Sequence, residues 1–301
     1  MKTFAVKSLG LLPRLARKLE HLLDRLEPLL PPMPVPVDWS RVGAAFWRRD
    51  AHHAWLEAVT TTPANRLDDV LGVDRQKDQV VNNTRQFVKG LPANNVLLSG
   101  SRGTGKSSLI QALLNQFRDD GLRVIQVDKS DLADLLHIVA AVQREPYRFI
   151  LFCDDLSFDD KDEAYKALKS ALDGGVYSPP DNILIYATSN RRHLMPDYHA
   201  DSEGSRVVDT EVHHAEAVEE KVSLSDRFGL WVTFYPINQD QYLAIAQHWL
   251  QQLAARHGLE HEWNDEVRLL CIRWAGNRGN RSGRTAHQFA RHWIGQRLLT
   301  R

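Results

Sequence analysis

The stretch Gly100-Ser101-Arg102-Gly103-Thr104-Gly105-Lys106-Ser107 determines what this sequence can form and bind. It matches the P-loop pattern G-x-x-x-x-G-K-[ST] at every defined position. The glycines let backbone N–H groups curl around phosphate oxygens, the Lys106 ammonium reaches the β- and γ-phosphates, and the Ser107 hydroxyl holds Mg²⁺. Together with Ser108, which follows at the start of the next helix, the motif predicts a nucleotide-binding site.

The sequence on both sides of the motif has the pattern that a P-loop requires. Residues 95–99, Asn-Val-Leu-Leu-Ser, predict a buried strand, and residues 108–114 predict a helix whose N-terminal dipole faces the phosphates. A Gly- and Ser-rich surface turn, the alternative interpretation, needs neither a strand before it nor a helix after it. Strand, loop and helix together favour nucleotide binding.

Two apolar strands further along the chain end in polar residues. The apolar run 149–153 is followed by Asp154-Asp155, and the apolar run 182–187 is followed by Thr-Ser-Asn, which ends at Asn190. A hydrophobic parallel strand that ends in a carboxylate is typical of a Walker B ligand for Mg²⁺. An amide at the end of another such strand can orient a water next to the γ-phosphate. We therefore expect both carboxylates and the amide to complete the site.

The composition excludes several classes of protein. The chain has 301 residues, of which 43% are hydrophobic, and no apolar run is long enough to span a membrane. Lys7 interrupts the N-terminus before a signal-like segment forms. The two cysteines, Cys153 and Cys271, are far apart and predict neither a disulfide framework nor a thiolate zinc site. A reducing, cytoplasmic location is the resulting expectation.

The charge is distributed unevenly, although the formal net charge is +0. Residues 1–50 contain nine Lys and Arg against five acids, and residues 268–301 contain eight Arg and no acid. The middle of the chain, residues 51–267, holds 33 acidic and 21 basic residues. Zero net charge argues against wholesale nucleic-acid binding, whereas the arginine-rich end keeps a local contact open.

Two segments are predicted before the nucleotide-binding core. Residues 1–36 have leucines at three- and four-residue spacing, followed by a stiff proline-rich linker. This pattern predicts an amphipathic helix that docks on its own chain, on another subunit or on a membrane surface. Residues 37–65 are predicted to be a helical segment, whose aromatic side chains could alternatively stack on bases. These aromatic residues are Trp39, Phe46, Trp47 and Trp55, and Arg41, Arg48 and Arg49 lie beside them.

The core is predicted to span residues 66–236 and a helical lid to span residues 237–301. In the lid, Asn238 can cap the first helix and Arg284 opens the last one. Residues 195–221 are polar and acidic and predict a loop or insertion. Four histidines lie in or beside this insertion at spacings that match no known metal-ligand pattern, so solvated histidines are the favoured interpretation over a metal site. They are His193, His199, His213 and His214.

The order of these motifs resembles that of the AAA+ ATPases. The resemblance lies in the P-loop, Asp154-Asp155, the stretch 187–190, the pair Arg227-Phe228 and a late helix that begins Gly283-Arg284. More narrowly, residues 152–158, 186–194 and 223–230 resemble an uncharacterised bacterial family of AAA+ ATPases, a domain of unknown function. This likeness covers roughly residues 40–300, and the Asp-Asp pair is also similar to that of the initiator and helicase-loader branch.

The resemblance implies a fold and a set of ligands. The implied fold is α/β, with a parallel five-stranded sheet, flanking helices, a helical N-terminal region and a small C-terminal helical lid. Lys106 would bind the β- and γ-phosphates of ATP, while Ser107 and Asp154 would hold Mg²⁺ and its water shell. Asp155 would polarise the attacking water, at a position where many AAA+ proteins have Glu. The segment Leu71-Gly72-Val73 would line the adenine pocket.

Three further roles are implied for charged and polar residues. Asn190 would be the sensor 1 residue, Arg227 the finger that reaches the site of a neighbouring subunit, and Arg284 the sensor 2 residue that the lid brings to the γ-phosphate. Arg191 and Arg192 are rivals for the finger. Arg278 and Arg281 are rivals for sensor 2, and Arg284 is favoured because it opens the helix.

These residues predict an ATPase that changes conformation within a homo-oligomer. Three cellular roles are compatible with the sequence: remodelling of a protein partner, a DNA-associated loader or initiator, and a nucleotide switch that does not hydrolyse ATP. The acidic middle and the leucine-rich helix favour the first role, and the C-terminal arginines favour the second. A GTPase is disfavoured because the guanine-reading Asn-Lys-x-Asp motif is absent. A small-molecule kinase would leave Arg227 without a role in trans.

Overall fold

The computed structural model describes residues 35–50, 53–157, 163–173, 180–190, 227–260 and 262–300, with three isolated positions at 16, 18 and 21. The chain divides into two units, Met1–Pro36 and Val37–Arg301. The predicted leucine-rich helix, most of the proline-rich linker and the 195–221 insertion lie outside the described residues. The sheet and the helices described below all belong to the second unit.

The second unit is organised around a seven-stranded sheet in the order β2-β1-β4-β5-β6-β3-β7. Adjacent strands are parallel, except for the antiparallel pair of β1 and β2 at one edge. The strands are β1 (Ala44–Arg49), β2 (Ala54–Val59), β3 (Val96–Gly100), β4 (Leu122–Gln126), β5 (Arg148–Cys153), β6 (Ile183–Ser189) and β7 (Leu230–Phe234).

Residues 37–65 form the hairpin of β1 and β2 and not the predicted helical segment, so the sheet has seven strands and not five. The period-two alternation of β1 places Ala45 and Trp47 on one face, where both are buried in the core. Aromatic side chains suit such a pleated, half-buried surface. Trp47 Nε1 donates a hydrogen bond to Asp134 Oδ2 at 3.1 Å, and the Trp39 ring packs against Phe149 at 4.9 Å. Both indoles are therefore core residues and cannot stack on bases.

Seven α-helices and two 3₁₀ turns accompany the sheet within the described part of the chain. The helices are α1 (Asp74–Val88), α2 (Lys106–Phe117), α3 (Leu135–Val142), α4 (Glu163–Asp173), α5 (Gln239–Arg256), α6 (Asp265–Asn277) and α7 (Gly283–Leu299). The turns are Leu67–Asp69 and Lys129–Asp134. None of the helices in the described ranges combines the length and the apolar composition needed to cross a membrane.

The apolar strands are buried on both faces of the sheet. One cluster contains Leu97, Ile125 and Leu151, and the other contains Leu98, Val124 and Ile150, which alternate with them along β3, β4 and β5. Burial on both faces explains why these strands are continuous apolar runs. Because β3, β5 and β6 are parallel, their carboxyl ends meet at one edge of the sheet, where the P-loop begins.

Helices α5, α6 and α7 form a lid with a hydrophobic core of its own. As predicted, Asn238 caps α5, because its side chain accepts a hydrogen bond from the Gln241 N–H at 2.9 Å. Tyr242 on α5 is fully buried and donates its hydroxyl to the Cys271 carbonyl oxygen of α6 at 3.1 Å. In the core, the buried Tyr186 hydroxyl lies 2.9 Å from both Asn83 Nδ2 and Thr84 Oγ1.

Both cysteines are free, buried thiols, one in each hydrophobic region. Cys153 is the last residue of β5, and burial raises its pKa to about 12. Cys271 lies on α6, and burial raises its pKa to about 11. The predicted role of Cys153 as a small buried hydrophobe is confirmed.

Candidate functional site

A cleft of about 660 Å³ lies between the carboxyl edge of the sheet and the lid. The P-loop and the start of α2 form its floor, and Asp154, Asp155, Thr188 and Asn190 contribute from the ends of β5 and β6. The lid closes the other side, with Arg284 among its contributions. The structure thus brings most of the predicted site residues into one concave space.

The P-loop backbone needs glycine where it passes the neighbouring chain. Gly100 has a φ of 117°, and a Cβ there would overlap the carbonyl oxygen of Phe234 at the end of β7. Gly103 has a φ of 71°, and its Cβ would lie 2.7 Å from Ser282 Cβ in the lid. Gly105 precedes α2, and no side chain in the described structure caps this helix end. Such an uncapped N-terminus is suited to bind phosphate.

Only 6% of Lys106 is exposed. Its ammonium group is held by the P-loop. Nζ donates to the carbonyl oxygens of Gly100 at 2.7 Å and Ser101 at 2.8 Å, and to Asn190 Oδ1 at 3.1 Å. Burial lowers the pKa of Lys106 to about 8, although the nearby carboxylates of Asp155 and Asp154 act in the opposite direction. A polyanion in the cleft would compensate for this desolvation.

Ser107, Asp154 and Thr188 form a cluster of oxygen atoms at the start of α2. Ser107 Oγ donates to Asp154 Oδ1 at 2.7 Å, and Thr188 Oγ1 donates to the same oxygen at 2.5 Å. Hydroxyl and carboxylate oxygens beside a phosphate site are the donors that Mg²⁺ prefers. The residues present therefore fit a magnesium ion, and Ser107 and Asp154 are close enough to act together. Thr188 was not predicted as a site residue.

Asp155 is fixed in an uncommon backbone conformation. Its φ is 53°, and it is the one non-glycine residue with a positive φ in the described part of the chain. The Asp155 N–H donates to Thr188 Oγ1 at 2.8 Å, Asn190 Nδ2 donates to Asp155 Oδ1, and Arg102 Nη2 lies 3.9 Å from Asp155 Oδ2. Strained residues of this kind concentrate at functional sites. Asn190 contacts both Asp155 and the Lys106 ammonium, and so connects the two.

The candidate arginines Arg284 and Arg227 lie at different positions relative to the cleft. Arg284 is in the first turn of α7 and lines the cleft. Arg227 lies just before β7, whose first residue, Leu230, pairs with Val96 at the amino end of β3. Arg227 therefore lies near the opposite edge of the sheet from the P-loop and does not line this cleft. The rival residues 191 and 192 lie outside the described ranges.

The remaining rivals and the predicted adenine segment are also placed by the structure. Of the segment Leu71-Gly72-Val73, Leu71 lines the cleft, whereas the Gly72 carbonyl oxygen accepts from Gln241 Nε2 at 3.1 Å and Val73 is buried in the core. Val70, Ala64 and Asn65 line the cleft beside Leu71. Arg278 lies over the Trp274 ring, and Arg281 lines a second cavity behind the P-loop.

Three further lid residues line the cleft but were not predicted from the sequence, namely Trp249, Arg256 and His287. The rings of Trp249 and His287 are 4.5 Å apart, and both residues line the cleft together with Leu71. Burial, together with Arg291 and Arg256, lowers the pKa of His287. Trp249 shares a helix face with core-facing residues, which is why its position in the sequence predicted packing and not ligand contact.

The described residues contain no group of three or more His, Cys, Asp or Glu arranged to hold a metal ion. The four histidines considered for such a site, at positions 193, 199, 213 and 214, lie outside the described ranges.

Comparison with known proteins identifies the fold. A family model described as protein of unknown function (DUF815) matches residues 40–297. A search of curated proteins gave no match. The RuvB Holliday junction branch migration motor of Thermotoga maritima is similar to this chain, with a TM-score of 0.50 and 18% identity over 75% of this chain and 63% of RuvB. A replication initiator DnaA bound to AMPPCP and single-stranded DNA gives 0.48 and 18%, over 76% of this chain and 64% of DnaA.

These comparisons show a shared architecture. The chain spans less than two thirds of the length of the RuvB structure that it matches. The predicted α/β class, the AAA+ type of P-loop fold and the likeness to a family of unknown function are confirmed. The strand count and the helical 37–65 segment were wrong.

Proposed function

We propose that this chain, which belongs to the DUF815 family of unknown function and has the AAA+ fold, is an ATPase that binds ATP with Mg²⁺ and hydrolyses it. The observation that supports this most strongly is the joint network around the cleft. Lys106, Asn190 and Asp155 form one hydrogen-bonded chain, and Ser107 and Asp154 form a hydrogen-bonded pair beside it. Phosphoryl transfer needs positioning and charge neutralisation more than covalent catalysis, and these residues provide both.

The roles of the residues follow from their contacts. Lys106 exchanges the Gly100 and Ser101 carbonyl oxygens for phosphate oxygens, because a charged acceptor makes the stronger hydrogen bond. Mg²⁺ held by Ser107 and Asp154 would neutralise charge on the phosphates. Asp155 accepts the proton of the attacking water.

Asn190 couples phosphate binding to the general base. In the structure its amide contacts Asp155 through Nδ2 and Lys106 through Oδ1. Movement of the Lys106 ammonium toward phosphate weakens the second contact, so the amide becomes able to turn toward the water beside the γ-phosphate. This arrangement makes Asn190 a sensor of the bound nucleotide.

We propose that Arg227 acts in the cleft of a second copy of the chain. Its place near the amino edge of the sheet, opposite the P-loop, supports a role in trans. Arg284 lines the cleft of its own chain and, as the lid closes, would approach the γ-phosphate. An arginine supplied by a neighbour typically adds about 10³- to 10⁵-fold to turnover in P-loop NTPases. Turnover per chain should accordingly rise with protein concentration.

The work done by the cycle is proposed to be remodelling of a macromolecular partner. The acidic charge of residues 51–267 is compatible with a protein partner. The arginine-rich lid and the similarity to RuvB, a branch migration motor, favour the second candidate, an ATPase that acts on nucleic acid. A nucleotide switch without hydrolysis is the third candidate, and it predicts negligible turnover at every protein concentration.

Two substitutions test the ATPase proposal. Lys106→Ala should abolish nucleotide binding, measured by titration with a fluorescent ATP analogue. Asp155→Asn should leave ATP binding within about twofold and lower turnover by about 10²-fold or more, because a general base contributes this much. Lys89→Ala, at an exposed position after α1, is the matched control and should behave as wild type. Wild-type turnover in Asp155→Asn would show that Asp155 is not the base.

A further inference from the structure

We propose that the lid binds single-stranded polynucleotide through a surface formed by Trp274, Arg278, His292, Trp293 and Arg297, here named the arginine–tryptophan patch. The polynucleotide would be the partner of the proposed ATPase. The purpose of binding rests on that proposed function, whereas binding itself does not. None of the five residues lines the nucleotide cleft.

The patch consists of two sets of stacked groups, one around Trp274 and one around Trp293, which are linked by the edge-on contact of the Trp274 ring with Phe289 at 5.9 Å. The guanidinium carbon of Arg278 lies 3.5 Å from the centre of the Trp274 ring, and the His292 ring is stacked on that indole at 4.7 Å and 29°. Phe289, buried beneath, lies 6.2 Å from the Trp293 ring, and the Arg297 guanidinium is 5.1 Å from Trp293. The two guanidinium groups and the His292 imidazole are therefore held in place by the aromatic rings beside them.

The exposure of these groups suits an incoming base. The side chains of Arg278, His292 and Arg297 belong to exposed residues, whereas both indoles are half-buried. A base can stack on an imidazole or guanidinium plane as it does on an aromatic ring. Because the indoles already fix these planes, little side-chain entropy is lost when a base binds.

The charge around the patch favours a polyanion. Residues 268–301 contain eight arginines, no lysine and no acidic residue. The acidic residues of the described lid lie elsewhere, at the start of α5 and between residues 260 and 266. Arg268, Arg273, Arg281 and Arg291 are exposed on the same two helices or the loop between them. The carboxylates of α6, Asp265 and Glu266, are confined to its first turn, where Asp265 lies 3.9 Å from Arg268 and at the opposite end of the helix from Arg278.

The combination of exposed arginines with half-buried aromatic rings favours a polynucleotide over other anions. The arginine side chain stacks on planar groups and forms bidentate hydrogen bonds with phosphate, whereas lysine acts as a point charge. A membrane surface or an acidic peptide would need the charge but not the stacked planes. A single strand offers phosphates and accessible bases together, which a duplex does not.

The test is a binding measurement with the full chain and no nucleotide present. Labelled oligo-dT and oligo-U of equal length are titrated by fluorescence anisotropy over a range of salt concentrations. The double variant Arg278→Gln/Arg297→Gln should bind at least about tenfold more weakly, and the slope of log K against log salt should fall by about 0.7 for each phosphate that is no longer neutralised. His292→Ala should lower affinity roughly five- to tenfold with no change in that slope, because it removes stacking and not a phosphate contact.

A matched control removes the same charge from the core. Arg75→Gln/Arg144→Gln changes two exposed arginines outside the lid and should leave binding within about twofold. Tighter binding of dT or of U identifies the polynucleotide, and either result supports the proposal. Four results would overturn it: no binding at low salt, equal loss in both double variants, equal affinity for an abasic oligonucleotide, or binding only to anionic vesicles or an acidic peptide.

The ATPase of the patch variant without oligonucleotide should equal that of wild type, since the patch lies outside the cleft. Oligonucleotide binding by a protein that hydrolyses no ATP would refute the proposed function and leave this inference intact. ATP hydrolysis by a protein that binds no oligonucleotide would do the reverse.

Discussion

The core and the lid achieve their stability in different ways. The core pairs strands that are distant in sequence, such as β3 with β6 and β7, and buries apolar side chains on both faces of the sheet. The lid packs three consecutive helices, residues 239–299, around a cluster of its own. Each region therefore has its own hydrophobic core, and the nucleotide cleft lies where the two meet.

Several polar contacts join the two regions. The Gly283 N–H donates to the Gly103 carbonyl oxygen at 2.7 Å, His248 Nε2 lies 2.8 Å from Asp69 Oδ1, and Gln241 contacts Gly72. A hydrogen bond contributes about 0.5 to 1.5 kcal/mol, far less than a buried core residue. A ligand in the cleft can consequently shift the lid at modest cost without disturbing either core.

The largest effect on stability is expected from Gly100→Ala, which adds a side chain to the core where β3 leads into the P-loop. The new Cβ would overlap the Phe234 carbonyl oxygen at a φ of 117°, so β3 and β7 must separate. The free energy of unfolding should fall by about 3 kcal/mol or more. Gly121→Ala is the control, because its φ is 90° but nothing lies within 4 Å of the Cβ. Urea unfolding of both variants measures the difference, and equal losses would contradict the close approach.

Alkaline pH should weaken both regions through their buried phenols. Burial raises the pKa of Tyr186 to about 12 from 10.0 and also raises that of Tyr242. The folded state thus favours the protonated phenol, and stability present below pH 10 is lost as the pH rises through 12. For Tyr186 this amounts to roughly 2 to 3 kcal/mol.

Tyrosine-to-phenylalanine variants separate the two contributions to this loss. Unfolding by urea between pH 9 and 11 should show a smaller pH slope in Tyr186→Phe, which removes the phenol of the core. Tyr242→Phe should do the same for the lid. A wild-type slope in both variants would show that neither phenol titrates as its burial requires.

Trp249→Ala tests whether the lid contributes to nucleotide binding. Loss of the ring beside His287 should weaken ATP affinity roughly five- to thirtyfold, since stacking contributes about 1 to 2 kcal/mol. Trp249→Phe, which keeps a ring, should lose less than half of that free energy. Titration with a fluorescent ATP analogue compares the three proteins. Wild-type affinity in Trp249→Ala would place the base away from the lid.

The smallest effect is expected from His248→Ala, which removes one polar contact of the junction. His248 Nε2 lies 2.8 Å from Asp69 Oδ1, and Asp69 lines the cleft. ATP affinity should fall by up to about tenfold while the unfolding midpoint stays near that of wild type, because a single hydrogen bond contributes about 0.5 to 1.5 kcal/mol. Gln251→Ala, at an exposed position of the same helix, serves as control. A change in midpoint without a change in affinity would contradict a junction role.

The core and the residues that line its side of the cleft could be predicted from sequence, because phosphate chemistry fixes both residue type and spacing. Lys106, Ser107, Asp154, Asp155 and Asn190 lie together as the order of strands and motifs implied. Parallel strands buried on both faces also leave long apolar runs that are easily identified. The roles of these residues stay predictions until the variants are measured.

The β1–β2 hairpin and the lid side of the cleft could not be predicted in the same way. Six-residue strands rich in Trp and Ala have too few residues to separate a period of two from one of 3.6. Trp249 contacts both the lid core and the cleft, and its spacing reports only the former. Leu71 lines the cleft, whereas Gly72 contacts the lid and Val73 is buried in the core, and the adenine-pocket role of this segment stays a prediction.

The two buried thiols make the difference between core and lid directly measurable. Cys153 and Cys271 are both 0% exposed, and one lies in each region. A thiol that is inaccessible and protonated reacts with an alkylating reagent only while its surroundings are open. The alkylation rates of Cys153 and Cys271 in the unmodified chain therefore give two local opening free energies from one sample. Nucleotide that joins the lid to the core should slow the reaction of Cys271 more than that of Cys153.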